Sequence, residues 1–128
     1  FAFTSKYHVG IDMIDEEHAK LFEIIADVNR VIHDDYVHDK YDEIVKIIDE
    51  LKDYTNVHFR DEEAYMERIG YKDLPAQKQA HAFFEEKLEV INLEDIDDNQ
   101  QEYLEELVEF LLSWLTVHIL QMDKKIGM

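Results

Sequence analysis

The chain has 128 residues, 31 of them acidic against 13 basic, a formal net charge of −18 and no cysteine. That length suffices for one buried core. The charge repels nucleic-acid phosphates and anionic lipid headgroups, and the lack of thiols excludes disulfides, thiolate metal sites and cysteine catalysis.

Three glycines and one proline, beside 46% apolar and 34% charged residues, suit long amphipathic helices rather than turn-rich sheet. No stretch approaches the roughly 20 apolar residues that cross a bilayer, and no charged-then-apolar leader opens the chain. A soluble, cytoplasmic location is expected, with neither nucleic acid nor membrane among the partners. The first residue is Phe1 rather than methionine, as in a processed protein or a domain cut from a longer one.

Phe1 to Met13 carry no long helical period and are expected as an extended arm on the rest of the chain, anchored by Phe1, Phe3, Tyr7 and Ile11. From about residue 15 to 34, Ile14, His18, Leu21, Ile25, Val28 and Ile32 alternate spacings of four and three, which makes one buried stripe on a helix. After the polar stretch Asp34 to Asp39, a second helix over about 40–69 carries Ile44, Ile48, Leu51, Thr55, His58, Glu62, Tyr65 and Ile69 on its stripe. Gly70 follows as a C-cap.

A third helix begins near Leu74 and Pro75, where proline is tolerated, and runs to about 91 with Leu74, Gln77, His81, Phe84, Leu88 and Ile91 aligned. The acidic segment Asn92 to Gln100 is the next loop. A fourth helix over about 100–124 aligns Leu104, Leu107, Leu111, Trp114 and His118. Short connections favour an all-α, antiparallel up-down-up-down four-helix bundle spanning residues 1–128 as one domain, with an extended N-terminal arm.

These seams should be apolar, yet they carry four histidines, a glutamate, a glutamine and a threonine. A buried carboxylate costs several kcal/mol unless a proton, partner or metal compensates it, so Glu62 needs a partner. His18 and His81 lie near the starts of helices one and three, His58, Glu62 and His118 near the ends of helices two and four. Alternate helices reverse direction, so all five converge on one layer, where bundles commonly build metal sites. Asp123 stands five residues after His118, about 140° around a regular helix, and is expected to reach the site from the terminal turn.

Imidazoles and carboxylates without thiolates suit iron, manganese or zinc, and two carboxylates able to bridge suggest a pair of ions with an oxide or hydroxide between them. His8, His33 and His38 fall in the arm, at a helix end and in a loop, and are read as solvated. Phe22, Phe59, Trp114 and Ile119 neighbour the proposed ligands, as core or as the wall of a dry cavity.

The motifs Val9-Gly10-Ile11-Asp12, Ile14-Asp15-Glu16-Glu17-His18 with Leu21-Phe22, His58-Phe59 with Glu62-Glu63, then His81, Trp114, His118 and Asp123 resemble the hemerythrin family, particularly its bacterial single-domain members. The resemblance covers nearly the whole chain. It implies two iron ions bridged by Glu62, Asp123 and an oxo or hydroxo group, with His18 and His58 on the ion that binds dioxygen and His81 and His118 on the other. A third histidine on that second ion is expected from the family, and Gln77 stands in its place; glutamine can offer an amide oxygen or leave a water-filled or empty position.

The implied function is dioxygen binding without catalysis, as a carrier or as an oxygen- or redox-sensing domain joined to other domains of a longer signalling chain. Two further classes stand beside it: a di-iron oxidase or peroxidase using a second open position at Gln77, and a structural metal-binding bundle without oxygen chemistry. The Glu-x-x-His pairs of ferritin-like di-iron enzymes are absent from this ligand set.

Overall fold

The computed structural model describes residues 3–34, 40–89 and 101–128. They form α1 (Asp12–Ile32), α2 (Lys40–Arg68), α3 (Leu74–Glu89) and α4 (Gln101–Gln121), with a 3-10 turn at Ser5–Tyr7 and a 3-10 helix at Asp123–Gly127. Phe1, Asp35 to Asp39 with His38, and Ile91 with the acidic segment to Gln100 lie outside the described residues.

The entry to α1 is set by Asp15. Its carboxylate accepts hydrogen bonds from the backbone N–H groups of Val9 (2.7 Å) and Gly10 (3.2 Å), folding the arm back onto the first turn. Gly10 adopts φ +92°, open to a residue without Cβ. The helix therefore starts at Asp12, three residues before the expected position, with Asp12 and Asp15 at the positive end of its dipole. The arm is not wholly extended, because Ser5–Tyr7 turn once; Phe3 and Tyr7 anchor it with ring centroids 5.2 and 5.1 Å from Phe22.

Gly70 does end the second helix. At φ +67° it lets the Tyr71 N–H reach the Met66 carbonyl (2.9 Å) and its own N–H reach that of Glu67 (3.1 Å), which satisfies carbonyls the helix would leave orphaned. Ile69, expected on the seam, is 47% exposed because the chain has already left the helix there.

Along α1 to α3 the buried stripes follow the sequence period, and α1 adds Phe22, Ile24 and Val31 to make a broader face. In α4 the buried face is Leu104, Val108, Leu111, Leu115 and Ile119, while Leu107 and Trp114 are half-buried. Leucines on two adjoining faces of that helix made either stripe plausible from sequence. Helix α4 also ends at Gln121, earlier than expected, where Met122 leaves regular geometry (φ −118°, ψ −53°) and the chain tightens to 3-10.

Helix α1 packs on α2 and α4, and α2 on α3. Phe84 of α3 stacks on Trp114 of α4 at 4.3 Å. Ile14, Ile25, Val28, Ile44, Ile48, Leu51, Leu104 and Leu111 are fully buried along the axis; each such side chain contributes about 1.5–3 kcal/mol. That apolar length stabilises the bundle enough to accommodate costly polar groups at one end.

Candidate metal centre

His18, His58, Glu62, His81, His118 and Asp123 come together in the structure, and each is at least 95% buried. Four are delivered by helical seams reading toward one end of the bundle. His118 sits in the last turn of α4, and Asp123 opens the 3-10 helix that follows, so the tightened backbone swings its carboxylate back toward the histidine it would face away from on a continued α-helix.

Glu62 and Asp123 each divide their two oxygens between two halves of the cluster. Glu62 Oε2 lies 3.2 Å from His58 Nε2 and 3.4 Å from His18 Nε2, whereas Oε1 lies 3.1 Å from His81 Nε2. Asp123 Oδ2 is 3.0 Å from His18 Nε2, and Oδ1 is 3.1 Å from His118 Nε2. Two four-membered donor groups result, His18–His58–Glu62–Asp123 and Glu62–His81–His118–Asp123, within each of which one atom per residue lies within 4.8 Å of all the others.

Apart from His81 Nε2 and Glu62 Oε1, which are hydrogen-bonded at 3.1 Å, several of the donor atoms are close without being aligned for hydrogen bonds. His18 Nε2, His118 Nε2, Glu62 Oε2 and Asp123 Oδ2 are buried and have no hydrogen-bond partner despite these separations. Leaving such groups unsatisfied costs about 1–3 kcal/mol each, more when charged. A pair of nitrogen- and oxygen-loving cations resolves the cost, because each of these four atoms is a lone-pair donor of the kind such ions take. The residues present therefore fit a binuclear centre.

The electrostatics agree. Burial alone would raise the Glu62 pKa, but His18, His58 and His81 hold it well below the ordinary carboxylate range. Burial would lower the His58 pKa, yet the neighbouring carboxylates of Glu17 and Glu62 outweigh it and push it up to about 10. His18 is likewise raised, with Asp123 and Glu62 overcoming burial. Two buried carboxylates thus demand positive charge at this point, which protons on imidazole supply when no ion does.

The Hemerythrin HHE cation binding domain family matches residues 9–128. The chain belongs to the hemerythrin family. It is 41% identical over 125 residues to a bacteriohemerythrin of Clostridium acetobutylicum, covering 98% of this chain and 97% of that one. It is 29% identical over 127 residues to a bacteriohemerythrin of Methylococcus capsulatus, covering 97% and 91%. A crystal structure of wild-type hemerythrin superposes with a TM-score of 0.74 at 24% identity, over 93% of this chain and 88% of that chain, which establishes the common fold.

Two carboxylates of this hemerythrin chain that sequence reasoning did not assign brace the imidazoles from outside. His58 Nδ1 bonds Glu17 Oε1 at 2.9 Å and His81 Nδ1 bonds Glu63 Oε2 at 2.7 Å. A carboxylate only accepts, so each Nδ1 carries a proton and each Nε2 is turned to the centre. Burial, and then Asp61, raise the Glu17 pKa against the opposing pull of His58. Ring packing adds further restraint: Phe59 lies flat on His81 at 3.9 Å and Trp114 on His118 at 4.6 Å.

Of the residues read as a possible cavity wall, Phe22, Phe59 and Ile119 are core. Trp114, with His118, borders a cleft of about 350 Å³ beside α4. His8 and His33 are exposed, and neither approaches the cluster.

Proposed function

We propose that this chain holds two iron ions at His18, His58, Glu62, His81, His118 and Asp123 and binds dioxygen there reversibly, without catalysing its further reaction. The observation that carries the reading is the division of Glu62 and Asp123 between both donor groups, since a single ion would leave half of those oxygens and two imidazoles unused. Membership of the hemerythrin family supports iron and dioxygen over other ions and ligands. Residues 1–128 act as one domain, a carrier when alone and a sensing module when joined to others, and the large negative charge suits a freely dissolved cytoplasmic protein.

Iron, when bound, supplies the electrons and the open position that dioxygen requires. The protein supplies the rest. Glu17 and Glu63 fix the tautomer and aim of His58 and His81. Phe59 and Ile119 of the buried core, with Phe84 and Trp114, pack an apolar surface around the imidazoles, Phe59 flat on His81 and Trp114 on His118, which limits their reorientation. Four imidazoles against two carboxylates make a set poorer in negative charge than the carboxylate-rich sites of ferritin-like enzymes, which favours binding over oxidative turnover.

The test is optical. The ferrous protein prepared without air should develop visible charge-transfer bands on exposure to oxygen and lose them when oxygen is removed, over repeated cycles. Bleaching with turnover of a reductant, or no bands at full iron loading, would refute reversible binding.

A further inference from the structure

Gln77 occupies the α3 seam one turn before His81 and is 1% exposed. Its Nε2 donates a 3.0 Å hydrogen bond to Asp123 Oδ1, the same oxygen that lies 3.1 Å from His118 Nε2. A carboxylate accepts only, so the amide must present its NH2 group here, and an NH2 donor has no lone pair for a cation. The amide oxygen is buried with no hydrogen-bond partner. Turning it inward would break the bond to Asp123 and set two acceptor oxygens against each other.

The two halves of the centre are therefore equal in protein donors: two imidazoles and the two shared carboxylates each. A cleft of about 190 Å³ leads to Gln77 from the surface, lined also by Tyr71, Asp73, Gln121, Met122 and Lys125. That is several times the roughly 30 Å³ share of a water molecule, room enough for a triatomic ligand. Lys125 and Asp73 oppose each other in charge at the lining, so the entrance does not repel a small anion.

We infer that Gln77, by binding Asp123 rather than a cation, leaves the ion held by His81 and His118 with an exchangeable position that a small anion can take, on the side where the Tyr71–Lys125 cleft reaches Gln77. Both ions of the centre then take external ligands. The inference rests on the di-iron reading above.

Azide titration of the oxidised, iron-loaded full chain tests it, read by optical stoichiometry and by the azide stretch in the infrared. The wild type and Gln77→Ala should each take up two azides per pair of irons and show two azide bands; Gln77→His should take up one and show one. One azide in the wild type at two irons per chain would overturn the inference while leaving the di-iron reading intact. One in the wild type but two in Gln77→Ala would overturn it by making Gln77 itself a ligand. Fewer than two irons per chain would remove the di-iron reading and the inference with it.

Discussion

Glu17 belongs to α1 but braces His58 of α2, and Glu63 belongs to α2 but braces His81 of α3, so each carboxylate ties the centre across a helix boundary. Outer partners of this kind are worth 10- to 100-fold in metal affinity. Glu17→Gln and Glu63→Gln should each weaken iron retention by about that factor, measured by competition with a chelator; unchanged affinity would show the imidazoles are held by packing alone. In the metal-free chain the raised His58 pKa adds stability that is fully present below about pH 6.5 and is lost as pH rises through about 10. An ion must displace that proton, so anaerobic addition of ferrous iron at neutral pH should release acid, recorded by pH-stat, and less so in Glu17→Gln. Neither brace was legible in the sequence: Glu17 and Glu63 adjoin seam residues, about 100° off the buried stripe, and look like ordinary solvated acids.

The seams of α1 to α3 were legible because apolar residues on both sides of each polar one fix the register, which is how His18, His58, Glu62 and His81 stood out. Asp123 was not legible from periodicity, since its placement depends on the local change to 3-10 after Met122. That terminal element is held by the opposite end of the chain. A Cβ on Gly127 would collide with the Val9 carbonyl oxygen, and Val9 is itself tied to Asp15. Gly127→Ala should therefore shift the 3-10 helix, costing about 1–3 kcal/mol by overpacking and lowering iron content, checked by thermal melting and metal analysis. Gly70→Ala, where an added Cβ meets nothing within 4 Å but φ is +67°, should cost about 1 kcal/mol and leave iron content unchanged, which separates loss of stability from loss of Asp123.

The molecule has two unlike ends. One is a continuous apolar core of Val28, Ile32, Ile44, Ile48, Leu104 and Val108; the other gathers buried titratable groups whose charges require ions or protons. Metal removal should loosen the second more than the first. Chelated protein should lose amide-exchange protection around His58 to Glu62 and His118 to Asp123 while Ile44 to Leu51 stay protected, and its melting temperature should fall because binding free energy adds to folding free energy. Uniform loss of protection would mean that the ions hold the whole bundle together.

A pair of ions shared by Glu62 and Asp123 would be directly visible by anomalous diffraction at the iron edge from crystals of the iron-loaded chain. Two iron peaks should appear, roughly 3.5–4 Å apart as in other two-metal sites, one beside His18 and His58, the other beside His81 and His118, with both carboxylates between them. A single peak, or two peaks with either carboxylate bound to only one ion, would rule out a shared pair.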